Sequence, residues 1–257
     1  MVYPRSDFAP LEVSAPVTIH PTTPLGEEKP QRVSLLLKAG ARLGLFLILT
    51  AAALFSASGR ADWGRAWVLL GALFICGALN LAVLVTRSPE LLAARLELER
   101  GARQWDKVLS ALLASLLVAV LVVAGMDERR HWSLPVPGSL HLAAVVLLLA
   151  GDLLLLWAMA MNRFFSKTVR IQRERGHRVV SVGPYRCVRH PGYVGWILMS
   201  TALPLILGSL WALVPVGLAV TGMVLRTALE DRMLRADLEG YEEYTGRVRY
   251  RLLPGIW

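Results

Sequence analysis

From Ala39 onward the chain alternates long apolar runs with short polar connections. The runs cover about 39–57, 66–86, 108–124, 140–161, 192–208 and 209–225. Each approaches the ~20 residues needed to cross ~30 Å of hydrocarbon as a helix. The pattern predicts an all-α fold, a polytopic transmembrane bundle of six spans. Between the second and third runs, Ser88-Pro89-Glu90 reads as an N-cap, a first helical residue and a first-turn acid. Leucines at 91, 92, 96 and 98 then alternate with charged residues. That segment is too charged to span, and predicts an interfacial helix over 88–106. The last two runs meet at Gly208-Ser209 without a charge between them, the signature of a tight helical hairpin. Pro204 and Pro215 fall inside these runs and predict kinks. Past the sixth run, Leu225, Leu229, Met233 and Leu238 keep helical spacing, so the helix is expected to leave the bilayer and stop at Gly240.

Polar residues within the runs need partners in lipid. Asn80 requires one, and Asp152 reads first as a group hydrogen-bonded to a neighbouring helix, second as a functional carboxylate. Arg42 lies near the start of the first run, within snorkelling reach of the interface. Residues 1–30 hold six prolines, at 4, 10, 16, 21, 24 and 30, and no continuous apolar stretch, which predicts a disordered tail over 1–34. Three regions follow: that tail, four spans with the interfacial helix over 35–161, and a C-terminal region over 162–257.

A hydrophobic fraction of 55% and a mean hydropathy of +0.50 exclude an ordinary soluble domain. The net charge of +9 comes from basic blocks between apolar runs, the pattern of membrane topology rather than nucleic-acid binding. Five basic residues lie in 87–107, eight in 162–190 and six in 226–257, against two in each of 58–65 and 126–139. Six spans with both termini cytoplasmic satisfy this distribution. With cysteine present only at 76 and 187, neither a disulfide framework nor a four-ligand metal site is available, and no metal is expected.

The most informative stretch is VVSVGPYRCVRHPGYVG, 179–195. Gly183-Pro184 marks a turn, and His190-Pro191 sets a proline at the first position of the helix formed by the fifth run. Unpaired N–H groups at a helix start, beside Arg189 and His190, favour an anion. Charge and position alone favour headgroup anchoring over a ligand site. Arg226 and Glu230 sit one turn apart in the weaker order for helix stabilisation, leaving a surface ion pair and a functional pair equally open. The segment from Tyr241 to Trp257 is charged and aromatic, suited to cap the mouth of the hairpin.

The pairing of GPYRCVRHPGYVGW with RTALEDRMLRADLEGYEEYTGRVRYRLLP resembles the isoprenylcysteine carboxyl methyltransferase family and the related phospholipid N-methyltransferases. It covers about 162–257; the first four spans match only in general character. The resemblance implies S-adenosylmethionine as cofactor, in a pocket roofed by cytosolic loops, and a lipophilic acceptor from the bilayer. Carried across by position, Gln172, His177, Arg178, Val179, Val180, Tyr185, His190, Pro191, Gly192, Tyr193 and Glu230 are similar to the cofactor contacts. Arg226 is similar to the arginine beside the substrate, so Arg226 and Glu230 stand as the implied catalytic pair. Chemically, Glu230 suits ribose hydroxyls, Tyr185 and Tyr193 suit a sulfonium, and Arg226 suits an acidic acceptor. The implied activity is O-methylation of an isoprenylcysteine-like carboxylate. Alternatives are N-methylation of a phospholipid or S-methylation of a thiol, an NADPH-dependent reductase similar to sterol reductases, and a non-catalytic scaffold. Asp231 departs from the phospholipid enzymes, which carry a second Glu there.

Overall fold

A computed structural model describes residues 28–87, 89–96 and 103–257, and every regular element among them is helical. The long helices are α1 (Glu28–Ser58), α2 (Gly64–Arg87), α4 (Gln104–Arg130), α5 (Gly138–Met161) and α7 (Leu213–Asp237). Shorter ones are α3 (Pro89–Leu96), α6 (Pro191–Leu207) and α8 (Tyr241–Arg247). Among the described residues, five helices are long and apolar enough to cross a membrane. The fifth of the six expected spans, α6, has 17 residues, about 25 Å at ~1.5 Å per residue. It is short because Pro191 fixes its start and Gly208, at φ 77°, its end. There the N–H groups of Gly208 and Ser209 return to the carbonyls of Leu205 and Pro204, a Schellman closure.

Several expectations shift in detail. Residues 28–34, assigned to the tail, are the first turns of α1; Pro30 falls in its first turn, where a missing N–H is tolerated. The rest of the tail, 1–27, lies outside the described residues, as do Ser88 and 97–102 of the interfacial segment. Within that segment α3 does form, and Leu91 and Leu92 are buried against Leu84, Leu156 and Met159. Residues 104–106 open α4 rather than closing the interfacial helix. Pro215 is the third residue of α7, so it sits in a first turn and removes no internal bond.

The bundle is apolar on its outer faces, with Leu45, Ile48 and Leu49 of α1 and Leu142, Val146 and Leu153 of α5 exposed, as a lipid solvent demands. Its centre is a cluster including Leu54, Leu69, Val120, Leu148 and Ile206. The closest helix contact is between α5 and α6, where a side chain on Gly195 would stand 2.5 Å from the carbonyl oxygen of Gly151. The two backbones touch because neither glycine has a Cβ. Asn80 and Asp152 supply each other's missing partner: the amide nitrogen lies 2.8 and 3.0 Å from the two carboxylate oxygens. At one end, buried Asp127 accepts bonds from the Ser133 N–H at 2.7 Å and the Ser209 hydroxyl at 2.5 Å, tying the α4–α5 connection to the α6–α7 turn. The other end carries the long loop 162–190 and the C-terminal segment.

Candidate functional site: two clefts with a common wall

The loop leaves α5 at Asn162, whose side-chain oxygen accepts the Phe164 N–H at 2.9 Å while its amide donates to the Tyr185 hydroxyl at 3.2 Å. Two 3-10 turns, Arg173–Arg175 and Gly183–Arg186, then fold the loop back to α6. The C-terminal segment closes against it: the N–H groups of Arg189 and His190 donate to the carbonyls of Tyr250 and Arg251 at 2.9 and 3.0 Å. Tyr244 donates its hydroxyl to the Tyr185 carbonyl at 2.7 Å.

These elements enclose a cleft of about 770 Å³ including its open mouth, within the range of small-molecule and cofactor sites. Of the residues implied as cofactor contacts, His177, Arg178, Val179, Val180, Tyr185, His190, Gly192, Tyr193 and Glu230 all line it. The two anchors, at the start of α6 and on α7, thus share one cavity. Gln172 and Pro191 do not line it. Gln172 is buried beneath the loop, its amide donating to the Phe164 carbonyl at 2.6 Å and its oxygen accepting from Arg175 at 2.7 Å, so both polar ends are already engaged. Pro191 is fully packed and acts by fixing the helix start.

Electrostatics at that start differ from the sequence expectation. Buried Asp231 is a counter-ion from within the chain, with Arg189 Nε at 3.0 Å, His190 Nε2 at 3.5 Å, Arg251 Nε at 2.9 Å and Arg235 Nε at 3.3 Å. The Tyr241 hydroxyl donates to the same carboxylate at 3.1 Å. The cations expected to await an anion therefore already hold one. Arg178, in contrast, lines the cleft with no ion-pair partner among the described residues. Burial pushes the Tyr185, Tyr241 and Tyr244 hydroxyls up, so these rings stay neutral. His177 packs against Phe164 with ring centroids 4.6 Å apart and the planes tilted by 30°, and burial, followed by the charges of Arg170 and Arg175, lowers its pKa.

Arg226 lies elsewhere. It lines a second cleft of about 840 Å³ with its mouth, bounded by Ser110 and Leu113 of α4, Leu155 of α5, Trp196 of α6 and Met223 of α7. Phe165, Ser166, Gly192 and Tyr193 border both clefts, so they form a common wall. The pairing of Arg226 with Glu230 is indirect: the Tyr193 hydroxyl donates to Glu230, and the Arg226 guanidinium lies 5.3 Å from the Tyr193 ring centre. The direct partner of Arg226 is Asp106, with Nε to Oδ1 at 2.8 Å. Sequence reasoning missed Asp106, since it sits in a stretch whose charges read as interfacial. It also missed Asn162 and Phe165, and treated Tyr241 and Tyr244 only as a cap. Among the described residues no group of His, Cys, Asp and Glu is placed to hold a metal.

The fold and the paired clefts define an integral membrane protein with a ligand site where a polar loop meets the bundle. Residues 144–236 match the model described as the isoprenylcysteine carboxyl methyltransferase (ICMT) family. The match runs from Ala144 of α5 to Ala236 of α7, about a third of the chain, and makes this region similar to that family. Among solved structures the chain is similar to the eukaryotic intramembrane Ras methyltransferase ICMT solved without a monobody, with 18% identity and a TM-score of 0.50. The similarity covers 85% of this chain and 77% of that one, and at this identity it establishes the shared fold. No curated protein sequence matches the chain.

Proposed function

We propose that the protein transfers a methyl group from S-adenosylmethionine, held in the loop cleft, to the carboxylate of an isoprenylcysteine-like acceptor that enters from the bilayer. The observation that carries this reading is the common wall: a loop cleft lined by the polar groups of Asn162, His177, Arg178 and Glu230 and a more apolar cleft between the helices share Phe165, Ser166, Gly192 and Tyr193 as lining. The eight basic residues of 162–190 support a cytosolic position for the loop cleft, since basic connections favour that side.

The residues present fit the donor. Glu230 keeps a carboxylate oxygen with no hydrogen-bond partner among the described residues, suited to ribose hydroxyls. Arg178 suits the amino-acid carboxylate. Neutral aromatic faces at Tyr185 and Tyr193 suit a sulfonium. When bound, S-adenosylmethionine supplies an electrophilic methyl group that an acceptor oxygen displaces directly. The chain's task is then alignment and exclusion of water, which accounts for a site without an obvious general base. Phe165 covers the start of α6, its ring 2.7 Å from where a Gly192 Cβ would stand, and so seals the wall. Arg226 orients the acceptor carboxylate from the apolar cleft, whose lining by Leu113, Ala114, Leu117 and Trp196 suits an isoprenoid chain.

The test is methyl transfer in purified membranes from methyl-labelled S-adenosylmethionine to a farnesylated N-acetylcysteine, with product identification by mass spectrometry. The expected product is a methyl ester, absent when the acceptor carboxylate is amidated. Label found only in phospholipid amines, or on a free thiol, would replace the carboxylate reading.

A further inference from the structure

We propose that Asp106 is a positioning residue for methyl transfer, holding the Arg226 guanidinium at the polar end of the apolar cleft and tying it to the loop that roofs the donor cleft. The inference rests on the reading that Arg226 faces the acceptor. Asp106 comes from the first turn of α4, outside the region 144–236 that carries the family match.

Its side chain is completely buried, and both carboxylate oxygens are engaged. One accepts from Arg226 Nε at 2.8 Å; the other accepts from the backbone N–H of Val169 at 2.8 Å. Arg226 Nη2 donates in turn to the Lys167 carbonyl at 2.8 Å. Two bonds on separate nitrogens fix the plane of a guanidinium, and with it the direction of the remaining amino group. That group, Nη1, has no hydrogen-bond partner among the described residues, and Arg226 lines the apolar cleft.

Val169 is flanked by Thr168 and Arg170, both lining the donor cleft. One carboxylate therefore sets the angle of the acceptor-side cation and the height of the donor-side loop together. Through the Tyr193 ring and hydroxyl the chain of contacts runs on to Glu230. A buried ion pair contributes little net stability compared with apolar packing of the same volume, so placement is the better account of an acid here. Direct methyl displacement is sensitive to small misalignments, which makes such placement consequential.

The experiment compares full-length wild type with Asp106→Asn, Arg226→Gln and the double variant, all in lipid nanodiscs. Donor Kd is read by calorimetry, and kcat and KM with the farnesylated N-acetylcysteine. Asp106→Asn keeps one acceptor oxygen for the Val169 N–H but sets an NH2 donor against Arg226 Nε, so donor Kd should stay within about twofold while acceptor kcat/KM falls about 10- to 100-fold. In the Arg226→Gln background the same change should cost less than about twofold further, because the residue it acts through is gone. Additive losses, or a loss of donor affinity as large as the loss of turnover, would reduce Asp106 to a prop for the loop and overturn the inference. Should Asp106→Asn not fold, Arg226→Lys carries the test, since it keeps charge and partner but removes the fork. It should show the same fall in kcat/KM, and wild-type behaviour would count against the inference. Arg226→Gln as active as wild type overturns the acceptor reading and this inference with it. An inactive Arg226→Gln beside a fully active Asp106→Asn overturns this inference alone.

Discussion

His177 should give the site a pH dependence with a definite sign. Its Nδ1 accepts the Gln172 N–H at 3.3 Å, which makes the neutral ring the fitted form. Burial and the nearby Arg170 and Arg175 place its folded pKa below the ordinary histidine value. Between the two values the unfolded chain binds more protons than the folded one, so stability rises with pH there. The contribution is fully present above about pH 6.5, declines as pH falls below it, and levels off once the folded pKa is passed. Thermal midpoints measured from about pH 8 to about pH 5 should show this slope, and His177→Gln should flatten it. Single residues were legible only with the resemblance: type and spacing left Glu230 and His190 open between surface and site, the resemblance implied a shared pocket, and both line the cleft. Asp231, next to Glu230, read only as a departure from a motif. Its role depends on Arg189 and Arg251, brought in from the loop and the C-terminal segment, and helical periodicity says nothing about such partners.

At the scale of elements, the helices were legible because lipid requires long apolar runs, and that requirement is written into every window of sequence. The hairpin of α6 and α7 was expected at Gly208-Ser209, and the chain does reverse there. The close seating of α5 on α6 was not visible, because Gly151 and Gly195 are isolated small residues in ordinary runs, without a repeated spacing. Their contact makes a sharp expectation. A Cβ on Gly195 would meet the Gly151 carbonyl oxygen at 2.5 Å and the Leu155 nitrogen at 2.9 Å, backbone atoms that cannot swing aside. Gly195→Ala should therefore cost about 1–3 kcal/mol in detergent unfolding, the range typical of overpacking. Gly217→Ala is the control: a Cβ at Gly217 meets nothing within 4 Å, and its helix should be unaffected or slightly favoured. Equal effects at the two glycines would mean that the α5–α6 contact contributes nothing beyond helix propensity.

At the scale of the whole molecule, the two clefts require more chain than the region matched to the family. Asp106, Ser110 and Leu113 of α4 lie before residue 144, and Tyr241 and Tyr244 lie after residue 236. The C-terminal segment was legible as charged and aromatic, yet its function as a wall follows from tertiary placement. It supplies Tyr241 and Tyr244 to the lining, Arg251 to Asp231, and the carbonyls of Tyr250 and Arg251 to the N–H groups of Arg189 and His190. Ending the chain after Glu239 removes all of these at once while leaving α1 to α7 intact. Asp231 would keep Arg189 and Arg235 as partners, so the bundle is expected to persist, with helix content by circular dichroism lower by little more than the seven residues of α8. The loop cleft, proposed as the donor site, would however lose one side. Two backbone N–H groups beside the cleft would be left without acceptors, each costing about 1–3 kcal/mol if water cannot reach them. Calorimetry should then show donor affinity reduced at least about 100-fold. A truncated protein that binds the donor within a few-fold of wild type would mean that the loop 162–190 closes the cleft unaided, and that the aromatic segment merely covers it from outside.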